Sequence, residues 1–208
     1  MVGAVNMKNY IVNNSLNLIK KNNPTLDEVK LAEIKYGLVS IYLLISKLII
    51  ICIFAYLLGI IKEMIIFMSI YNIIRMPSFG IHASKSWICL IVSLTLSLGC
   101  TYLCLTLSLN IYIKCFIGII CLVEMYKNSP ADTHKKPIVS PTRRMAYKTI
   151  SVLLTIVFIT LAIILNNNFL SNCFLIALVV QCFVISPFTY KIFNMPYNNY
   201  KTYQKYAK

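Results

Sequence analysis

The amino-acid sequence predicts an all-α integral membrane protein of about six transmembrane helices with an N-terminal amphipathic helical arm. Three observations carry that expectation. Of 208 residues, 59% are hydrophobic and 12% charged, about half the charge of a typical soluble domain. The apolar residues gather into long runs. The basic residues gather in every second connection between those runs.

Residues 1–37 read as a cytoplasmic arm. Ile11, Val12, Leu16 and Ile19 recur at helical spacing, with Lys8, Lys20 and Lys21 around them. A basic amphipathic helix of this kind lies on the anionic membrane lipids of an inner leaflet. Asn22-Asn23-Pro24 breaks the pattern, and Thr25 with Glu28 forms a capping box that starts a second helix. The arm is too long and too polar to be the head of a cleaved signal peptide.

Residues 38–190 form the membrane domain. Leu38–Ile61 is a run of 24 residues interrupted only by Lys47, and Ile88–Leu109 and Phe169–Tyr190 are runs of 22. A bilayer core takes roughly 20 helical residues, so each of these spans on length alone. Ile111–Tyr126 and Ile150–Leu165 are 16 residues each and span with local thinning or snorkelling ends. Met64–Ile74 is only 11 residues and spans if Ile61 and residues after Arg75 extend it. The runs are continuous rather than alternating, which favours helices over a barrel.

Charge placement orients the chain. Seventeen of the twenty Lys and Arg residues lie in the arm, the 75–89 connection, the 127–148 connection and the tail at 191–208. The alternate connections, at Lys62-Glu63, Asn110 and Asn166-Asn167-Asn168, hold one base. The positive-inside rule then places both termini in the cytoplasm. Bases divided among loops between apolar runs are a poor nucleic-acid patch, so no nucleic-acid partner is expected.

Lys114, four residues past Asn110, is expected to snorkel to the interface. Lys47 is deeper, and Glu124 is its candidate partner. Cys52, Cys100, Cys104, Cys115, Cys121, Cys173 and Cys182 lie inside runs and read as packing residues. Cys89, at the mouth of a run beside polar residues, does not.

The connection from Arg75 to Cys89 is the one that looks chemical. It collects His82, the only tryptophan, Pro77, Gly80 and the boundary cysteine. A cysteine nucleophile needs a base, and His is the usual one. Seven residues of straight helix rise about 10.5 Å, too far for a thiol–imidazole hydrogen bond, so the segment must bend back. Pro77, Gly80 and the Ser-rich stretch permit that, and Ser86 can cap the following span. Cys89 then falls in a first helical turn, where the positive end of the dipole favours a thiolate. A metal site is a poorer fit: His82 and Cys89 are too few ligands, and His134 would have to come from another loop.

Gly80-x-His82-Ala83 followed by Cys89, with Arg75 upstream, resembles the accessory gene regulator B (AgrB) family of bacterial quorum-sensing endopeptidases. Ser129-Pro130-Ala131-Asp132-Thr133 with Lys136-Pro137 is a second match, and Glu33-Ile34-Lys35-Tyr36-Gly37 a weaker third. The resemblance implies that His82 and Cys89 are the catalytic pair. Arg75 and Gly80 fall on functionally important positions, and Glu33 on one usually held by Glu or Gln. Asp132 and Glu33 are candidates for a third catalytic group.

The same resemblance implies a multi-pass protein of a bacterial cell membrane, with no cofactor and no metal. Its substrate would be a short AgrD-type propeptide with a central cysteine and an acidic C-terminal part, and a homodimer remains open. The acidic part would meet Lys135, Lys136, Arg143 and Arg144. The alternative is a non-enzymatic permease or export channel for a peptide, depending on Lys47 and Glu124 and indifferent to loss of Cys89.

Impermeant thiol reagents on intact cells check the orientation. Single cysteines placed at Asn110 and Asn167 are expected to react from outside, and those at Ser84 and Ser140 to stay unlabelled. Outside labelling of Ser84→Cys would overturn the inside placement of the 75–89 connection.

Overall fold

A computed structural model describes residues 2–23, 26–81, 86–133, 137–201 and 203. Among them the regular structure is helical, and Phe79 and Ala131 pair in an isolated bridge. The chain divides into two compact units, Met1–Tyr56 and Leu57–Lys208.

The first unit holds α1 (Val2–Asn22) and nearly all of α2 (Glu28–Leu57). α1 stops where Asn22-Asn23 was expected to stop it, with Lys20 and Lys21 in the last turn against the negative end of the dipole. Pro24 and Thr25 lie outside the described residues, and the expected capping box with them. α2 begins with Glu28 at its positive end. At 30 residues it is longer than the predicted run, because the polar turns carrying Glu33 and Lys35 are already helical. Ser40 and Ser46 return their hydroxyl protons to the carbonyls of Tyr36 and Tyr42, at 2.9 and 2.8 Å, which keeps these groups satisfied within the helix. Gly59 at φ +69 then turns the chain, a conformation glycine adopts without penalty.

The second unit runs α3 (Ile61–Ser78), α4 (Ser86–Leu94), a π-helical turn (Thr95–Gly99), α5 (Cys100–Thr106), α6 (Ile111–Asn128), α7 (Pro141–Ile164), α8 (Asn168–Ile185) and α9 (Pro187–Ile192). Among the described residues, four segments are long and apolar enough to cross a membrane: α2, α4–α5 over Trp87–Thr106, α7 and α8. α3 and α6 have 18 residues each, about 27 Å of helix. Each also carries three charged residues, Lys62, Glu63 and Arg75 in one and Lys114, Glu124 and Lys127 in the other. The extension of Met64–Ile74 that spanning requires is present at both ends. The run Phe169–Tyr190 is not one helix, contrary to expectation. Pro187 has no N–H to continue the ladder, and the Ser186 hydroxyl accepts from the Phe188 N–H at 3.2 Å to open α9.

α8 is the central helix, packed against α3, α5, α6 and α7. Its buried face and that of α7 carry Ser151, Thr155, Ser171, Asn172 and Gln181, while Ile150, Leu153, Ile156, Val179 and Phe183 face outward. These polar residues share the interior with Phe158, Leu175, Leu178 and Ile185, and hydroxyl and amide side chains between helices are a feature of helices packed in lipid. Gly118 of α6 is at such an interface: a Cβ there would lie 3.0 Å from the Ile159 Cγ2 of α7. Of the seven packing cysteines, Cys100, Cys104, Cys121, Cys173 and Cys182 are buried, and Cys52 and Cys115 half-buried.

Lys114 does not snorkel. It is buried, and its Nζ donates to Ser171 Oγ at 2.6 Å. The Ser171 hydroxyl donates its own proton to the Ala162 carbonyl, one of those left unpaired where α7 ends. Snorkelling needs a free path to the interface, and the serine of α8 offers a nearer polar partner inside the unit. Removing one member of a buried contact leaves the other stranded, and a stranded ammonium is the worse case. Ser171→Ala is therefore expected to cost about 1–3 kcal/mol, more than Lys114→Met, and the double variant less than Ser171→Ala alone. Unfolding titrations in mixed detergent micelles measure this. Equal losses for the two single variants would show that the ammonium does not depend on Ser171.

Candidate active site

Two connections meet at the end of the second unit where α3, α6 and α8 finish and α7 begins. At the last turn of α3 the Ser78 hydroxyl donates to the Ile74 carbonyl and the Phe79 N–H to Arg75 O at 2.9 Å. The chain leaves the helix through Phe79, at φ 58 and ψ −136, and Gly80, at φ +122. It then pairs with the other connection. Gly80 N–H donates to Ala131 O at 2.9 Å, and Ala131 N–H to Ser78 O at 3.0 Å. Ile81 N–H reaches Val184 O of α8 at 3.5 Å. No side chain fits at Gly80, because a Cβ would stand 2.6 Å from Val184 Cγ1 and 3.3 Å from Val184 O. Glycine is required twice over, by backbone angle and by space.

Arg75 braces this exit. One guanidinium nitrogen donates to the Tyr71 hydroxyl, the other to Ile81 O at 3.4 Å, and the group sits 5.6 Å from the Tyr71 ring centre. The Phe79 ring meets Tyr147 of α7 edge-on at 5.0 Å. Arg75 and Gly80 thus act on one short segment, Phe79–Ile81. His82 follows it and lies outside the described residues. The described chain resumes with α4, which begins at Ser86, the residue expected to cap it, and carries a half-buried Cys89 in its first turn.

The second connection is held from the tail. Asp132 is buried. Its Oδ1 accepts from Asn199 N–H at 3.1 Å, and its Oδ2 from Tyr200 N–H at 2.8 Å and Ile138 N–H at 3.4 Å. The Tyr190 hydroxyl, also buried, donates to the carbonyls of Asp132 and Ala131 at 3.0 and 3.3 Å. Burial first, and then the negative charge of Asp132, push the Tyr190 phenol above its usual range, so it remains a donor. Asp132, one of the two candidates for a third catalytic group, has both oxygens engaged by backbone donors and serves to fasten the tail to this loop.

The remaining predicted residues are not gathered at one point. Arg144 stacks on the Tyr200 ring at 3.7 Å, and Arg143 is exposed at the start of α7. Lys135, Lys136 and His134 lie outside the described residues. Glu33 is exposed on α2, in the first unit. Glu124 accepts from the Asn128 amide, whose oxygen accepts from the Tyr197 hydroxyl at 3.2 Å. Two contributors went unread in the sequence. Gln181 donates from α8 to Ser78 Oγ and Phe79 O, and Tyr190 holds Ala131. A glutamine halfway along an apolar run was the available signal.

The family model described as accessory gene regulator B matches residues 4–185. The chain belongs to this family. It is 28% identical over 183 residues to an AgrB-like protein of Clostridium acetobutylicum, covering 88% of each chain. An AgrB-like protein of Listeria innocua is 26% identical over 187 residues, covering 90% of this chain and 92% of its own. Accessory gene regulator protein B of Staphylococcus aureus is 27% identical over 174 residues, covering 83% of this chain and 90% of its own. No solved structure matches the chain. Membership in the AgrB family is consistent with a part in quorum-sensing peptide processing, and the helices agree with an all-α membrane protein.

The fastening role of Asp132 can be checked without an activity assay. Asp132→Asn replaces one acceptor with an amide that opposes a backbone N–H, so the tail should loosen by about 1–3 kcal/mol. Limited proteolysis is expected to cut between 195 and 203 faster than in the parent protein. Unchanged cleavage there would mean that Tyr190 and Arg144 hold the tail without the carboxylate.

Proposed function

We propose that this AgrB-family chain is a membrane cysteine endopeptidase and cyclase acting on an AgrD-type propeptide, with Cys89 as nucleophile and His82 as its base. The observation that carries the reading is the anchoring of the segment leading to His82. Gly80 is wedged against Val184, and Ile81 is held by Arg75 and α8, immediately before the histidine. Two positions singled out by the family resemblance, Arg75 and Gly80, thereby act on one stretch of chain. The half-buried thiol sits in the opening turn of α4, a few residues beyond that segment.

In this mechanism the Cys89 thiolate attacks the peptide carbonyl that precedes the acidic part of the propeptide. The C–N bond breaks, His82 passes the former thiol proton to the leaving amine, and the acyl group remains on Cys89 as a thioester. The propeptide's own cysteine then attacks that thioester carbonyl and expels the Cys89 thiolate, closing a thiolactone. Exchange between thiols is nearly isoenergetic, so proximity decides it, and oriented groups reach effective molarities of roughly 10⁵ M or more. Exposed Arg143, with Lys135 and Lys136, would capture the acidic part. The reading includes six spans, with α3 and α6 completing the set, both termini cytoplasmic and the 75–89 and 127–148 connections on that side. Alternating helix directions within the second unit support it.

A propeptide with its central cysteine changed to Ala separates a cyclase from a plain protease. Incubated with the purified protein, it is expected to accumulate a covalent adduct at Cys89, seen by intact mass and released by hydroxylamine. Cys89→Ser and His82→Ala should form none. Rapid turnover to a linear acid without an adduct would remove the cyclisation step, and cleavage by Cys89→Ser would remove the nucleophile.

A further inference from the structure

Gln181 lies in α8, buried to 0% exposure, far from His82 and Cys89 in sequence. Its Nε2 donates to Ser78 Oγ at 2.6 Å and to the Phe79 carbonyl at 2.7 Å. Both contacts must come from the nitrogen. The Ser78 hydroxyl has one proton, given to Ile74 O, and the Phe79 carbonyl has none. Both of these groups belong to the point where α3 stops, and Phe79 is one of few described non-glycine residues with positive φ. A residue held at such an angle stays there only when its surroundings over-determine it. Gln181 supplies two of the fixing contacts from a helix that also contributes Val184 against Gly80.

The amide carries a penalty of its own. Its Oε1 is buried without a hydrogen-bond partner among the described residues, and such a group is destabilising by about 1–3 kcal/mol. A side chain serving packing alone would do better as Leu or Met. We infer that Gln181 is a positioning residue for the segment that carries His82, acting through the α3 exit at Ser78 and Phe79. This rests on the proposed role of His82 and Cys89 and adds a residue to it. Gln181 touches neither the substrate nor the reacting atoms in this assignment.

The test uses the full-length protein in detergent micelles, with alkylation of Cys89 by iodoacetamide followed by peptide mass spectrometry across pH. Iodoacetamide needs no substrate and reports how far the thiol is activated. Gln181→Leu is expected to slow alkylation near neutral pH by roughly ten- to hundred-fold, since small misplacements of a catalytic group act on that scale. Its pH profile should move toward that of His82→Ala. Gln181→Glu keeps the size and can donate one bond only while protonated. Its alkylation should therefore exceed that of Gln181→Leu at low pH, after normalisation to His82→Ala, and fall to the Leu value as the carboxyl ionises. Should Gln181→Leu fail to fold, the pH-dependent loss in Gln181→Glu carries the test alone. A folded Gln181→Leu with the parent profile, or a Glu variant without that loss, overturns the inference. The underlying reading fails separately, if His82→Ala leaves Cys89 alkylation unchanged.

Discussion

Helices that end away from water leave carbonyls that something in the protein must satisfy, and α8 answers that demand three times. Ser171 donates to Ala162 in the last turn of α7, and Asn172 to Cys104 and Leu107 at the end of α5, at 3.1 and 2.7 Å. Gln181 does the same at the end of α3. One helix therefore fixes where three others stop. Because the 75–89 connection starts where α3 stops, the candidate chemistry inherits its position from this capping.

The tail adds a second tier. Asp132 collects backbone donors from Ile138, Asn199 and Tyr200, and Tyr190 holds the carbonyls of Ala131 and Asp132. Ala131 is the partner of Ser78 and Gly80. Tail, second connection and first connection thus form one continuous hydrogen-bonded series. Changes near residue 199 can reach the exit of α3 without touching it.

Much of this was legible in the sequence, for reasons that also explain what was not. Run lengths and the distribution of bases report on solvent, so the helices and the break after α1 follow from them. Gly80 and Arg75 were legible as motif positions, and the structure supplies their physical reasons in Val184 and Ile81. What escaped depends on partners distant along the chain. Lys114 meets Ser171 across 57 positions, and Gln181 meets Ser78 across 103. Hydropathy cannot tell a lysine beside a serine from one beside lipid headgroups. Pro187 divides Phe169–Tyr190 because it lacks an N–H, while its apolar ring leaves the hydropathy of the run unbroken.

The outward placement of large apolar side chains, with serine, threonine, asparagine and glutamine turned inward, has a thermodynamic corollary. In water-soluble domains, unfolding wets hydrocarbon, raises the heat capacity and bends the stability curve into a dome. Helices of this protein that part within a bilayer exchange side-chain neighbours for acyl chains, and little new surface meets water. Their association should accordingly vary almost linearly with temperature and show no weakening in the cold.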